Sequence, residues 1–305
     1  MPSRGRVRLT DVTADWDETA TGVPGVGPYQ TRRWGSMVAR AFGGTFRVLR
    51  VDDHTPRYVP LMQGGQLAGD GFCCGHLGYG GVFDASGSPL SCSDQVRTIA
   101  AVEQALGKPC RRLVTGPGTP AGAVSGAEVR ATHLVPLVAD AGQRLPSYRV
   151  RARRAVAKGL RVGLTAGPLT EAELDRAAEL IWETQARVGA AYRTPLPLLA
   201  SLAADAQDFG WLLACRLDGE LLAVSGFIRF AGQVAYLFNG WRSDAAAVAP
   251  NYVLMHAALS QFGDLGDRRM DLGYSHRQSL QEFKRSWSGA SAHFLAVEAP
   301  TAPRG

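Results

Sequence analysis

Near the carboxyl end of this 305-residue chain a cation stands between aromatics, in Phe283-Lys284-Arg285-Ser286-Trp287-Ser288-Gly289, shortly after Asp271-Leu272-Gly273-Tyr274. Arg269 to Leu272 reads as a short strand, and the glycine ending it can take a positive φ and bring the backbone close to a ligand. A lysine just past a strand end, its stem packed between rings, is placed to meet a phosphate or a developing oxyanion. The same residues suit a surface Lys-Arg pair beside a core Phe and Trp. Residue chemistry alone leaves both readings open.

The second constellation is cationic. Between Arg149 and Arg161 the chain carries six Lys or Arg and no acidic residue. The pattern predicts a helix launched by Leu145-Pro146-Ser147-Tyr148 and running to Lys158, stopped by Gly159. On it Tyr148, Ala152, Ala155 and Val156 share one side, Arg151, Arg154 and Lys158 another, and Arg161 follows just past the end. No intrahelical pair offsets their repulsion. A solvated face or a phosphate partner accommodates such a stripe, and a net charge of +6 with a pI near 9.3 has the sign that RNA requires.

Other chemistries lack their residues. Gly-x-Ser-x-Gly and Gly-Lys-Ser/Thr are absent. The five cysteines, 73, 74, 92, 110 and 215, form no CxxC or metal-ligand spacing and are expected as free thiols, with no metal bound. Gln66-Leu67-Ala68-Gly69-Asp70-Gly71 spells the Q-x-x-G-x-G loop that grips the pyrophosphate of coenzyme A. Such a loop works by aiming the N–H groups of a following helix at the phosphates. No helical run follows Phe72-Cys73-Cys74-Gly75, so the string is expected to bind no cofactor. Aminolysis of an already activated ester needs none of the missing parts: an amine must be placed beside the carbonyl and the oxyanion stabilised.

The elements that must position these residues make a mixed α/β chain. With 46% hydrophobic and 20% charged residues it is globular, and its length suits two domains. The first is expected over 1–142: a helix Thr31 to Phe42, strands Phe46 to Val51 and Tyr58 to Met62, a helix Ser93 to Leu106, and strands Arg111 to Thr115 and Thr132 to Val138, with Trp16 to Pro28 read as a polar, glycine-rich lead. The second spans 143–300. Thr170 with Glu173 caps a helix to Val188, Leu196 to Ala206 is another, and Asp218-Gly219 turns a hairpin between Trp211 to Leu217 and Glu220 to Phe230. Gln233 to Asn239, a helix Asn251 to Phe262 and a last strand His293 to Val297 complete it; 301–305 is expected as a disordered tail. No apolar run approaches the roughly 20 residues of a membrane helix, and no signal core follows Met1, so a cytoplasmic monomer with no membrane insertion is expected.

The strand Val234 to Asn239, the helix opened by Ala249-Pro250-Asn251-Tyr252, the Met270-Asp271-Leu272-Gly273 strand and the Phe283-Lys284 turn, in that order, resemble the second half of the Fem family. His76-Leu77-Gly78-Tyr79-Gly80-Gly81 is similar to a segment of that family's first domain, and the run Arg151, Ala155, Ala157, Lys158, Gly159 to the helix entering its second. The resemblance, weaker elsewhere, extends over most of the chain. It implies two tandem GNAT-like acyltransferase domains with mixed sheets, and peptide-bond formation from aminoacyl-tRNA, the charged tRNA being a co-substrate and no other cofactor used. It implies Lys284 at the reacting ester and the tRNA end, and Arg193 at the diphosphate of a cell-wall acceptor. Beside these, Phe283 is expected at the catalytic centre, Tyr192, Arg193, Tyr252, Tyr274 and Trp287 at the substrate, and Arg151, Arg154, Lys158, Arg161, Lys284 and Arg285 on the tRNA.

Cell-wall members carry a lysine after the first helix's tryptophan; Trp34-Gly35-Ser36-Met37 has none. Ser288 replaces an expected glycine, and there is no room for a helical arm. These departures point to the branch that moves an amino acid onto a peptide or natural-product intermediate, free or carrier-bound, in antibiotic assembly. Two rivals predict different behaviour. An acyl-coenzyme A-dependent N-acyltransferase binds coenzyme A; a non-catalytic RNA- or peptide-binding module binds without turnover.

Overall fold

The computed structural model describes residues 8–52, 55–86, 88, 90–119, 124, 126–190, 192–205, 208–275 and 277–298. The chain divides into two compact units, Met1–Ala131 with Ala292–Gly305, and Thr132–Ser291. The boundary expected after 142 therefore lies inside the second unit, because the strand expected to close the first domain pairs within the second from Thr132 on. The tail expected at 301–305 lies outside the described residues.

The first unit runs β1 (Arg8–Asp11), α1 (Trp16–Thr21), α2 (Arg32–Phe42), β2 (Thr45–Asp52), β3 (Arg57–Gln63), α3 (Gly65–Ala68), β4 (Phe72–Cys74), β5 (Phe83–Asp84), α4 (Cys92–Leu106) and β6 (Cys110–Val114). The division falls within β7 (Ala127–Pro136). The second unit continues with α5 (Ala141–Ser147), α6 (Val150–Arg161), β8 (Thr165–Pro168), α7 (Leu174–Arg187), α8 (Leu196–Ala204), β9 (Gly210–Leu217), β10 (Glu220–Phe230), β11 (Gln233–Trp241), α9 (Pro250–Asp264), β12 (Arg269–Asp271) and α10 (Gln278–Arg285). Most of β13 (Ala290–Glu298) returns to the first unit.

In the first unit the strand order is β1-β2-β3-β4-β6-β13, with β5 against β3. β4 and β6 are parallel and α4 connects them. Leu49, Leu61, Phe72, Ile99, Val102 and Leu113 form its apolar core. The lead read as polar is ordered: Trp16 is fully buried and its Nε1–H donates to the carbonyl of Gln30 at 2.7 Å. The Gln66 to Gly71 string makes the short α3 and then runs into strand β4, so no helix N-terminus faces it.

In the second unit the order is β7-β12-β11-β10-β9-β8. Helices cover both faces. Val156, Leu254, Ala258 and Phe262 of α6 and α9 pack on one, with Leu213, Phe227 and Val234. Ala178, Leu180 and Ile181 of α7 pack on the other, with Leu199 and Val224. Each fully buried Leu or Ile contributes about 1.5–3 kcal/mol, which fixes this sandwich. The hairpin turns at Asp218 and Gly219, both at positive φ (51° and 83°), as the primed turns of twisted hairpins require. Gly240 is obligatory for a different reason: a Cβ there would lie 2.4 Å from the backbone nitrogen of Ile181, where α7 crosses the sheet.

Two expectations are corrected. The helix said to launch at Tyr148 is broken there, α5 ending at Ser147 and α6 beginning at Val150. Tyr148 is extended because its ring is drawn against Trp287 (4.9 Å between centroids), and the Arg149 N–H donates to the Ser286 carbonyl rather than to a helical partner. The Phe283-Lys284 turn is instead helical, within α10. Beyond it Ser288 has φ 60°, a left-handed conformation that costs a residue with a Cβ roughly 1–2 kcal/mol and glycine little, which accounts for the glycine expected there.

Candidate active site

The site begins with a failure of pairing. β11 lies parallel to β12 only from Gln233↔Arg269 to Ala235↔Asp271. Leu237 is then an extra residue, since Phe227 faces Tyr236 while Gly226 faces Phe238. Such a bulge bends its strand. β11 continues to Trp241 while the chain leaves β12 at Leu272, and the gap between them is a cleft of about 590 Å³.

The cleft wall is aromatic and cationic. Arg151 of α6, Arg187 of α7 and Arg277 line it with Trp241, Tyr252 and Tyr274, and no carboxylate is among its described lining residues. Arg187 donates to the Thr184 hydroxyl at 3.0 Å and the Trp241 carbonyl at 3.3 Å, its guanidinium 4.9 Å from the Trp241 ring centroid. Arg277 donates to the Val188 carbonyl at 2.6 Å. Arg151 donates to Glu282 of α10 at 2.9 Å, so one cation of the stripe has an acidic partner outside its helix. Among the described residues, Arg154, Lys158 and Arg161 have no ion-pair partner, and all three are exposed along α6 away from the cleft.

The first residues of α9 also face the cleft. Ala249 precedes the helix at φ 59° and Pro250 opens it, with no side chain capping the first turn. An uncapped N-terminus carries partial positive charge and favours an anion. Beside it Asn239 of β11 donates through Nδ2 to Oδ1 of Asn251 at 3.3 Å, and both amides line the cleft.

Lys284 lies behind the wall, 3% exposed. Its Nζ donates to the carbonyls of Gly273 at 2.7 Å and Tyr274 at 3.0 Å. Burial pulls its pKa down to about 8, with Asp271 opposing the shift. Gly273 is at φ 71°, which turns its carbonyl toward the ammonium's side of the chain. The side of His133 nearest this cluster is cationic too: burial first, then Lys284, Arg285 and Arg149, lower its pKa.

Of the residues singled out in the sequence, Arg151, Tyr252, Tyr274 and Phe283 line the cleft. Trp287 does not. It is 1% exposed and packs with Tyr148, Tyr252 and Phe283 as core. Tyr192 and Arg193 are exposed but off the cleft, the Arg193 guanidinium lying 3.5 Å from the Trp182 ring centroid. Arg285, next to Lys284 on α10, is exposed. Arg187, Arg277, Asn239 and Asn251 were not singled out; only the excess of cations without acids hinted at the first two. The Gly78-Tyr79-Gly80-Gly81 segment contributes Gly80 and Gly81 to a separate pocket of about 170 Å³ within the first unit. Among the described residues no group of His, Cys, Asp or Glu could hold a metal ion, and no helix is long and apolar enough to cross a membrane. The five cysteines are free thiols.

Residues 146–285 match the acetyltransferase (GNAT) domain family. The second unit has a GNAT-like fold. Solved structures resemble the whole chain at low identity. FemX superposes with a TM-score of 0.66 at 13% identity, over 94% of this chain and 96% of that one. The C-terminal domain of a putative lysylphosphatidylglycerol synthetase from Agrobacterium fabrum gives 0.54 at 12%, over 94% and 93%. A tandem GNAT protein from the clavulanic acid biosynthesis pathway gives 0.53 at 10%, over 97% and 100%. A comparison with curated proteins gave no match. The fold is the expected mixed α/β, GNAT-like one, and the domain match supports the expected acyl or aminoacyl transferase.

Proposed function

We propose that the chain forms peptide bonds from aminoacyl-tRNA, moving the amino acid onto the free amine of a peptide or natural-product intermediate. The observation carrying this reading is the cleft itself: three arginines and several aromatic faces, no described carboxylate, and a stripe of unpaired cations continuing from its rim along α6. Aromatic rings stack nucleobases and arginines meet phosphates, so the wall suits the 3′ end of an RNA. From Arg151 to Arg161 the stripe covers about 15 Å of helix, enough to meet more than one phosphate of the strand leading away from that end.

In the proposed reaction the acceptor amine attacks the ester carbonyl of the aminoacyl group, and a C–N bond forms. The tetrahedral intermediate collapses with cleavage of the C–O bond, and the proton lost by nitrogen ends on the 3′ oxygen of the tRNA. Lys284 has three N–H donors and gives two to Gly273 and Tyr274. That bond pair holds the cleft wall at Tyr274, and the positive charge behind that wall stabilises the oxyanion developing in front of it. Positioning and charge thus do the catalytic work, without a covalent intermediate.

Assembly of a uridyl peptide antibiotic of pacidamycin type, from alanyl-tRNA, is the setting this reading favours over cell-wall cross-bridges, on the departures at Trp34-Gly35-Ser36-Met37 and Ser288. Transfer of labelled amino acid from charged tRNA to a peptide amine tests the reading: ribonuclease pretreatment should abolish it. Transfer from a ribonuclease-treated mixture would sink it.

A second reading, acyl transfer from coenzyme A, is favoured by the GNAT domain match and by the uncapped start of α9 at the cleft. It requires coenzyme A to bind the folded protein and raise its melting temperature. The proposed function expects no such shift and no competition with tRNA.

A further inference from the structure

The two amides that meet at the mouth of α9 are used only in part. Asn239 gives one N–H to Asn251. Among the described residues, Oδ1 of Asn239 and Nδ2 of Asn251 have no partner, and both residues are half-buried and line the cleft. With Asn239 as the donor of that bond, the pair presents the carbonyl oxygen of Asn239 and the NH₂ of Asn251 side by side. Their placement is set by the sheet: the bulge at Leu237 returns Asn239 to the α9 side, and Pro250 starts α9 one residue before Asn251. Trp241, two residues beyond Asn239, and Tyr252, next to Asn251, line the same cleft as the pair.

We infer that Asn239 and Asn251 read an adenine base, the carbonyl of one accepting from the exocyclic N6–H₂ and the NH₂ of the other donating to a neighbouring ring nitrogen. An adjacent acceptor and donor is the pattern that asparagine or glutamine uses to hold adenine. The aromatics of the cleft supply stacking, which is indifferent to base identity, so discrimination rests on the amides. This deepens the aminoacyl-tRNA reading and rests on it: the base read is the terminal adenosine whose ribose carries the ester. Hypoxanthine inverts the edge, with an oxygen in place of the N6 amine and an N–H in place of the N1 acceptor. Uracil inverts it in the same way, whereas cytosine carries the same donor and acceptor order as adenine, so the amides favour an amino base over its oxo counterpart.

The test uses a fluorescein-labelled RNA hairpin, an acceptor stem with a single-stranded CCA end, and the same hairpin ending in inosine. Phosphates and stem are identical, so only the terminal base differs. Wild type should bind the adenosine hairpin roughly tenfold to a hundredfold more tightly. Asn239→Leu should bring the two together at unchanged melting temperature. Asn251→Asp keeps the shape and the bond to Asn239 but presents a second acceptor, so inosine should equal or overtake adenosine; this variant serves if Asn239→Leu destabilises the fold. Equal binding of both hairpins to wild type would overturn the adenine assignment while leaving tRNA as the donor. Failure of either hairpin to bind, with stabilisation by coenzyme A, would overturn both.

Discussion

The ammonium of Lys284 and the carbonyl of Gly273 meet at 2.7 Å inside the second unit, from opposite ends of the segment that forms one wall of the cleft. In the proposed reaction the lysine therefore acts in two ways: through its charge, and by fixing the backbone from Gly273 to Tyr274. Lys284→Met retains most of the packed stem and removes the charge. Transfer from charged tRNA should fall on the order of a hundredfold to a thousandfold, the loss expected on removing an oxyanion-stabilising group. Lys284→Arg should rescue poorly, because a planar guanidinium does not fit a site 3% exposed and built around a compact ammonium. Melting temperature should move little, since an uncompensated burial cost disappears along with two hydrogen bonds. A near wild-type rate for the methionine variant would remove Lys284 from the mechanism.

The same burial sets a pH dependence. With the folded pKa at about 8, below the ordinary lysine value of 10.5, the native state releases this proton before the unfolded chain does. Turnover that needs the ammonium should decline as pH rises through about 8. Folding stability from this group should run the other way, increasing between about 8 and 10.5 because the unfolded state then binds more protons. Both trends should vanish in Lys284→Met, which pH–rate profiles and denaturation at matched pH would reveal.

Along α6 the expected effect is electrostatic. Replacing Arg154 and Lys158 together by glutamine should weaken tRNA binding and flatten the dependence of log K on log salt by about 0.7–0.9 for each phosphate no longer met by a cation. Binding measured at several salt concentrations decides it. A slope identical to wild type would make the stripe a merely solvated face.

In the first unit, His76 is 4% exposed, and among the described residues neither ring nitrogen has a hydrogen-bond partner. Phe46 meets its ring edge-on at 5.7 Å. Burial lowers its pKa from 6.5 to about 4. The unfolded chain takes up this proton first, so stability should be lost as pH falls from 6.5 toward 4, by at most about 3 kcal/mol. His76→Leu should show a correspondingly shallower loss in denaturant titrations at pH 7 and pH 5. Parallel losses in the two proteins would rule this histidine out as the cause.

What the sequence disclosed was local. The Asp218-Gly219 turn, the start of α7 at Thr170 and Glu173, and the span of α9 all depend on residues within a few positions of one another, where turn and capping chemistry acts. The break at Tyr148 and the order around Trp16 depend on Ser286 and Gln30, partners that lie beyond any short window along the chain. The same distance hid most of the cleft. Arg187, Arg277 and Asn239 converge only because β11 bulges and parts from β12, and a single extra residue at Leu237 leaves no signature in hydrophobic pattern. Lys284 was legible as a functional candidate by type, but its burial was not: lysine beside arginine reads as surface, and only the two carbonyls it holds explain why it faces inward.

Arg151 differs from its neighbours on α6 in having Glu282 as a tethered counterion. Salt exponents count mobile ions returned to bulk solution when a phosphate arrives. At Arg154 or Lys158 the cation condensed on the RNA phosphate leaves and is free; at Arg151 the carboxylate of Glu282 stays beside the phosphate and holds a cation there, so little is released. Its meeting with RNA would thus be enthalpic exchange of one oxygen anion for another, nearly silent in a salt titration though still able to orient the strand. Arg151→Gln should leave the exponent close to wild type even where it alters affinity, which separates the residue at the mouth of the cleft from those leading to it.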